Sequence, residues 1–123
     1  MATASTAVRK TLDALYGRGG RARLVSIWSN GSSWYRKYSD GWIEQGGYVS
    51  NSNSSDSLQT VSVSFHVSFS GTDYVFIRST MYGAESTNNI AVTGYKSKSA
   101  SGVSVNVRSS TYVKGFDWYA CGY

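Results

Sequence analysis

The sequence of 123 residues is poor in cysteine, histidine and proline, with one, one and none respectively. Its single cysteine, Cys121, cannot form a disulfide within the chain, and we expect it to be buried as a small apolar residue. A metal site within one chain needs several His, Cys, Asp or Glu side chains together, so we expect neither a metal nor a cofactor. Without proline, every tight turn must rely on Gly, Asn, Asp or Ser.

Acidic side chains are also few, with 7 Asp and Glu against 12 Lys and Arg, for a net charge of +5. This charge either attracts an anionic partner, such as an acidic polysaccharide, or serves solubility, because no basic run is dense enough to decide. We expect no nucleic-acid partner. No apolar run approaches membrane-spanning length, and the small polar residues 1–6 do not form a signal peptide and suggest a fragment of a longer protein.

From residue 22 onward, apolar side chains alternate with polar ones, which is the pattern of half-buried β-strands. The clearest strand covers residues 58–69, and the strand at residues 73–82 carries apolar residues on both sides, which predicts cover on both. About eight short strands with frequent turns predict an all-β fold, an antiparallel β-sandwich of jelly-roll-like type. The other strands are expected at residues 24–28, 33–39, 42–47, 90–96, 103–108 and 112–123.

The first 21 residues differ from this pattern. A short helix is expected there, between Thr6, which can cap it, and Gly17, which can end it. Its apolar stripe consists of Val8, Leu12, Leu15 and Tyr16. We therefore divide the chain into a helix and linker, residues 1–21, and a β-sandwich domain, residues 22–123.

The clearest hairpin joins residues 33–39 to residues 42–47 through Asp40-Gly41. This dipeptide is preferred in two-residue type I′ turns. Such a turn would place Lys37 opposite Glu44, as an ion pair, and Tyr38 opposite Ile43.

Signs of catalysis are weak. If the strands at residues 58–69 and 73–82 form a hairpin, His66, Ser68 and Asp73 lie on one face, but serines beside a lone histidine are the ordinary polar face of a strand. No pair of carboxylates is singled out for glycoside cleavage. Three copies of His66 meeting on a threefold axis are the one remote route to a metal site. We predict a binding protein without catalytic residues.

Aromatic residues make up 15% of the chain, more than one small core needs, so some of them are expected to face a partner. They concentrate around the Asp40 turn with interleaved cations, and alternation prevents all of them from pointing inward. Flat rings beside cations suit acidic sugars, while core packing or an oligomer interface is the alternative use. Polar loops at residues 51–57, 81–89 and 97–102 can adapt to a ligand. The candidate ligand-binding residues are Trp34, Tyr35, Arg36, Tyr38, Trp42, Tyr82, Asn88, Asn89 and Tyr95.

The sequence from Ser33 to Gly47, SWYRKYSDGWIEQGG, resembles the C-terminal domain of phage and prophage tail fibre proteins. The last six residues, WYACGY, are similar to the terminal signature of the same fibres. The resemblance covers residues 22–123 and carries no catalytic residues.

The resemblance implies a homotrimeric β-sandwich at the tip of a fibre in the virion, assembled in the host cytoplasm and joined through residues 1–21 to an upstream fibre shaft. It implies attachment to a bacterial surface polysaccharide or lipopolysaccharide, or to an outer-membrane protein. Two alternatives stay open: a structural cap that trimerises the fibre without touching a receptor, and an enzyme that trims surface polysaccharide. The carbohydrate assignment is an analogy at the level of the fold.

Overall fold

A computed structural model describes residues 22–51, 58–79, 91–109 and 114–123 of the chain. The helix expected within residues 1–21 lies outside this part. The described residues form β-strands and no helix, which confirms the all-β prediction. Among them there is accordingly no helix that is long and apolar enough to cross a membrane.

The described strands form two antiparallel sheets. The large sheet has the order β1-β2-β3-β8-β5 and the small sheet the order β4-β7-β6, so that β3 pairs with β8 and β4 with β7. The segment that contains β3 and β4 therefore runs antiparallel to the segment that contains β7 and β8, with one pair of strands in each sheet. The strands are β1 Leu24–Asn30, β2 Ser33–Tyr38, β3 Ile43–Ser50, β4 Gln59–Ser64, β5 Val75–Arg78, β6 Ala91–Ser99, β7 Gly102–Ser109 and β8 Gly115–Gly122.

The two sheets pack face to face around one core, as a sandwich requires. The small sheet contributes a layer of valines and the large sheet a layer of larger side chains, because alternate residues of each strand face the core. An aromatic cluster closes one side, where the Phe65 ring packs edge-on against the rings of Phe69 and Tyr74 with centroids 5.2 and 5.0 Å apart. The buried residues of the sheets include Ile43, Val61, Val63, Phe76, Val103, Val105, Val107, Phe116, Trp118 and Ala120.

The strand predicted at residues 58–69 is shorter than expected, because β4 ends at Ser64. The backbone N–H groups of Phe65 and Phe69 donate to carbonyls of the β6–β7 turn, at 2.9 Å each, instead of to a neighbouring strand. Phe65 and Val67 are half-buried and Phe69 is buried, so side-chain alternation continues where strand pairing has stopped.

Two further predicted boundaries change. The strand expected at residues 73–82 is limited to Val75–Arg78 in the described part of the chain. The loop expected at residues 97–102 is a tight turn, because β6 continues to Ser99 and β7 starts at Gly102.

The β2–β3 turn has three residues rather than two. The N–H of Gly41 donates to the Tyr38 carbonyl at 3.0 Å, and Asp40 Oδ1 accepts the N–H of Trp42, also at 3.0 Å. Gly41 has φ +93°, in the left-handed region. This is a type I turn followed by a left-handed glycine, the usual three-residue hairpin loop.

The longer turn shifts the predicted register by one residue. Arg36, not Lys37, lies opposite Glu44, and Lys37 lies opposite Ile43. The predicted ion pair between Lys37 and Glu44 and the predicted pair of Tyr38 with Ile43 were therefore wrong.

The sandwich has two distinct ends. At the near end the chain enters β1, where the N–H of Arg23 donates to Ser39 Oγ and the N–H of Ser39 donates to the Arg23 carbonyl. At the far end, the N–H of Asn51 donates to the Lys114 carbonyl at 2.7 Å. The residues that flank segments 52–57, 80–90 and 110–113 lie at this far end, because β3, β5 and β7 run toward it.

Candidate functional site

The β1–β2–β3 region presents its side chains on two faces, as period-two alternation predicts. Trp34, Arg36 and Tyr38 project from the face of the large sheet that is turned away from the small sheet, here called the outer face. Tyr35 and Lys37 project from the opposite face. Trp34, Arg36 and Tyr38 therefore share the outer face, and Tyr35 projects from the other face of the same strand.

The Trp34 indole packs against Gly46 of the neighbouring strand β3. Gly46 lies opposite Trp34, and a Cβ at Gly46 would lie 2.9 Å from Trp34 Nε1 and 2.7 Å from the Trp118 carbonyl oxygen. No other residue leaves room for the indole there. The Arg36 guanidinium lies 5.8 Å from the centroid of the same indole, within cation–π range.

A carboxylate lies beside this tryptophan. Glu44 accepts hydrogen bonds from the hydroxyl of Tyr38 at 3.3 Å and from the hydroxyl of Tyr119 at 3.5 Å. Burial of its hydroxyl, with smaller contributions from Cys121 and Glu44, raises the pKa of Tyr119 to about 12. Tyr119 therefore remains a hydrogen-bond donor at neutral pH and holds Glu44 in place.

A groove of about 400 Å³ follows the β1–β2 hairpin. It combines aromatic rings, a guanidinium and a serine hydroxyl, which is the mixture of apolar faces and hydrogen-bonding groups that sugars require. Its lining residues are Ile27, Trp28, Ser29, Gly31, Trp34, Tyr35 and Arg36. A second cavity, of about 280 Å³, lies at the near end between Trp42, Asp73 and Tyr123.

The other predicted ligand-binding residues lie apart from this groove. Trp42 packs edge-on against Tyr123 with ring centroids 5.1 Å apart. Tyr95 belongs to β6 of the small sheet, and its hydroxyl donates to the Phe76 carbonyl at 2.8 Å. Tyr82, Asn88 and Asn89 lie outside the described residues.

Sequence reasoning missed Trp28 and His66. Trp28 lies opposite Tyr35 because β1 and β2 are joined at Gly31, whose φ of +60° suits the first central position of a two-residue type II′ turn. Pairing the two strands across this glycine would have found Trp28. No sequence pattern near His66 predicts its contact with Trp28, because His66 lies in the segment that follows β4 and approaches Trp28 only in the folded chain.

The residues considered for catalysis are not arranged for it. His66 Nε2 lies 3.1 Å from the Gly46 carbonyl oxygen, and within the described segments no hydrogen bond links His66, Ser68 and Asp73. The described residues also contain no cluster of three or more His, Cys, Asp or Glu side chains. Cys121 is half-buried and projects from the outer face, so the expectation of a buried thiol was wrong.

No protein family and no curated protein matches the sequence. Solved structures do match in fold. A C-terminal fragment of the Pseudomonas aeruginosa R2 pyocin fibre is 21% identical over 90% of this chain and 28% of the fragment, with a TM-score of 0.56. The corresponding R1 fibre fragment is 23% identical over 80% of this chain and 28% of the fragment, with a TM-score of 0.55.

The chain thus spans less than a third of these fibre fragments. An N-truncated R1-type pyocin tail fibre is 21% identical and aligns over 93% of this chain and 95% of that shorter structure, with a TM-score of 0.55. The chain has the fold found at the C-terminal end of R-type pyocin tail fibres.

Proposed function

We propose that this chain is the receptor-binding region of a phage tail fibre or phage-tail-like fibre, which attaches the particle to a glycan or lipopolysaccharide of the bacterial surface. The observation that carries the proposal is the shared fold, which extends over nearly all of an N-truncated pyocin fibre structure. The groove of aromatic rings and Arg36 adds a surface suited to acidic sugars. The protein binds its target without cleaving it.

The β5–β8 edge of the outer face supports a homotrimer. Val75 and Ile77 are 52% and 56% exposed, and both project from this edge beside Cys121 and Tyr119. Exposed apolar side chains grouped at one edge of a sheet mark a protein interface. In a threefold fibre, two further copies of the chain cover it, which also explains why β5 is apolar on both sides.

The two ends of the sandwich then have different roles. Residues 1–21 precede the near end and link the domain to the upstream shaft. The far end, where segments 52–57, 80–90 and 110–113 are anchored, points away from the shaft and contributes receptor contacts. Tyr82, Asn88 and Asn89 belong to the second of these segments, so their role as ligand-binding residues stays part of the proposal.

Binding to cells tests the function directly. Fluorescently labelled protein is mixed with a panel of Gram-negative strains, and binding is competed with lipopolysaccharide purified from each strain. We expect binding to a subset of strains and competition only by lipopolysaccharide from those strains. If competition fails but binding is lost after protease treatment of the cells, the receptor is an outer-membrane protein.

The second candidate function is a structural cap that trimerises the fibre without touching a receptor, and the exposed outer face favours it equally. A stable trimer that binds none of the strains would support the cap over the receptor-binding region. Release of sugar fragments from purified lipopolysaccharide would instead contradict both and indicate an enzyme.

A further inference from the structure

Two of the groove's aromatic residues, Trp28 and Tyr35, lie on the inner face of the β1–β2 hairpin. The small sheet covers β3, β8 and β5, whose inward side chains are buried, but the inward side chains of the hairpin extend beyond it. Trp28 stays 39% exposed there and stacks on Tyr35, with ring centroids 5.7 Å apart and planes 20° apart. His66 lies beside Trp28, with ring centroids 5.4 Å apart. We call Trp28, Tyr35 and His66 the overhang platform.

The fold holds His66 in this position through two residues of β3, Gln45 and Gly46. The side chain of Gln45 is completely buried, and its Oε1 accepts the backbone N–H groups of His66 and Val67 at 2.8 and 3.0 Å. Its Nε2 donates to the Val67 carbonyl at 2.7 Å. A buried amide that satisfies three backbone groups fixes a segment that no strand supports.

Of the two ring nitrogens of His66, only Nε2 has a hydrogen-bond partner among the described residues. The Gly46 carbonyl can only accept a hydrogen bond, so Nε2, 3.1 Å away, carries the proton. The ring also stacks on Trp118, with planes 29° apart, which fixes its orientation. Nδ1 has no partner among the described residues. In the neutral ring Nδ1 is an acceptor that is available to a ligand hydroxyl.

We propose that the overhang platform is a carbohydrate subsite, in which a pyranose ring packs its apolar face against Trp28 and donates one hydroxyl to His66 Nδ1. This inference rests on the proposed function and names the part of the surface that takes the sugar. The platform combines fixed rings with an unused acceptor, as sugar sites require. Lys37, exposed on the same face two residues from Tyr35, adds a cation for acidic substituents. The exposed aliphatic side chains of β5, Val75 and Ile77, which a protein partner would cover, lie on the outer face instead.

The experiment uses oligosaccharides released from the lipopolysaccharide of a strain that the wild-type protein binds. They are titrated into the 123-residue chain, and the indole N–H of Trp28 and the ring protons of His66 are followed by NMR. The variants are Trp28→Ala and His66→Ala. The control is Tyr123→Ala, which removes an aromatic ring that is 58% exposed at the near end.

We expect the Trp28 and His66 signals to shift on titration. Trp28→Ala should weaken binding by about tenfold or more, and His66→Ala by about threefold to tenfold through one lost hydrogen bond. Tyr123→Ala should bind as the wild type does. Urea unfolding of each variant, together with Trp28→Phe, which keeps a ring and should retain part of the binding, separates lost contact from lost folding.

Two outcomes would overturn the inference, and they are distinguishable. If folded Trp28→Ala and His66→Ala bind as tightly as the wild type, the overhang platform is not the subsite, and the proposed receptor-binding function is unaffected. A wild-type protein that binds no strain and none of the polysaccharides contradicts both.

Discussion

Gln45 shows how one polar residue can determine a local structure. From a single buried side chain, its amide oxygen accepts two backbone N–H groups and its amide nitrogen donates to a carbonyl. The segment it holds, residues 65–69, passes beneath the hairpin without a strand partner. The glutamine of the fibre-like sequence is therefore explained by the fold.

Replacing Gln45 with leucine tests this role. The variant Gln45→Leu fills the space but leaves two N–H groups and one carbonyl unpaired, so we expect a loss of about 2–3 kcal/mol in the free energy of unfolding. Urea denaturation measures it. Ser62→Ala, at an exposed position of β4, is the control and should stay within about 0.5 kcal/mol of the wild type. A Gln45→Leu protein as stable as the control would contradict the role.

The raised pKa of Tyr119 predicts that the stability of the fold changes at alkaline pH. Its pKa of about 12 in the folded chain lies above its ordinary value of 10.0, so the folded state holds this proton more tightly than the unfolded state. The resulting stabilisation is complete below pH 10 and is lost as the pH rises through 12. We expect the stability difference between the wild type and Tyr119→Phe to change in that direction over this range, in unfolding curves at each pH. A constant difference would disprove the assignment.

At the scale of elements, the alternation of side chains in the sequence predicted which residues are buried. It was less successful in predicting which residues belong to a paired strand. Phe65, Val67 and Phe69 follow the inward pattern of β4, yet their backbone is not part of a ladder. Alternation reports which side of the chain faces the core, whereas the partners of the N–H groups are set by distant residues. The sequence therefore predicted the all-β class and most strands, and it misplaced the ends of the strand before Phe69 and the register at the Asp40 turn.

The β2–β3 turn provides a test at this scale. Gly41→Ala forces an L side chain into φ +93°, and we expect it to cost about 1–2 kcal/mol. Gly71 is the matched control, because it has open space around it and no left-handed φ. Gly71→Ala should be neutral or slightly stabilising. Thermal unfolding of both variants decides, and equal melting temperatures would contradict the left-handed backbone at Gly41.

For the whole molecule, the exposed outer face makes oligomeric state the informative measurement. Ile77→Lys places a charge in the proposed interface and should convert a trimer into monomers, as measured by light scattering after size-exclusion chromatography. Ser62→Lys introduces the same side chain on the exposed face of the small sheet and should leave the trimer intact. A monomeric wild type, or a trimeric Ile77→Lys protein, would refute the interface.

The candidate site was predictable only where its residues are neighbours in sequence. Period two correctly separates Tyr35 from Trp34 and Arg36 without any knowledge of the fold. The meeting of Trp28 with His66 depends on a buried contact between β3 and the segment after β4, which no local pattern reveals.

The position of β8 has a consequence for how the protein is made. This strand follows all the other described strands in sequence, yet it lies between β3 and β5, and its ladder joins Ile43 to Gly122. During translation β3 and β5 therefore keep open edges until β8 has emerged from the ribosome. Such long-range closure is slow, and unpaired edges invite association between nascent chains. The large sheet therefore closes only after β8 has been synthesised.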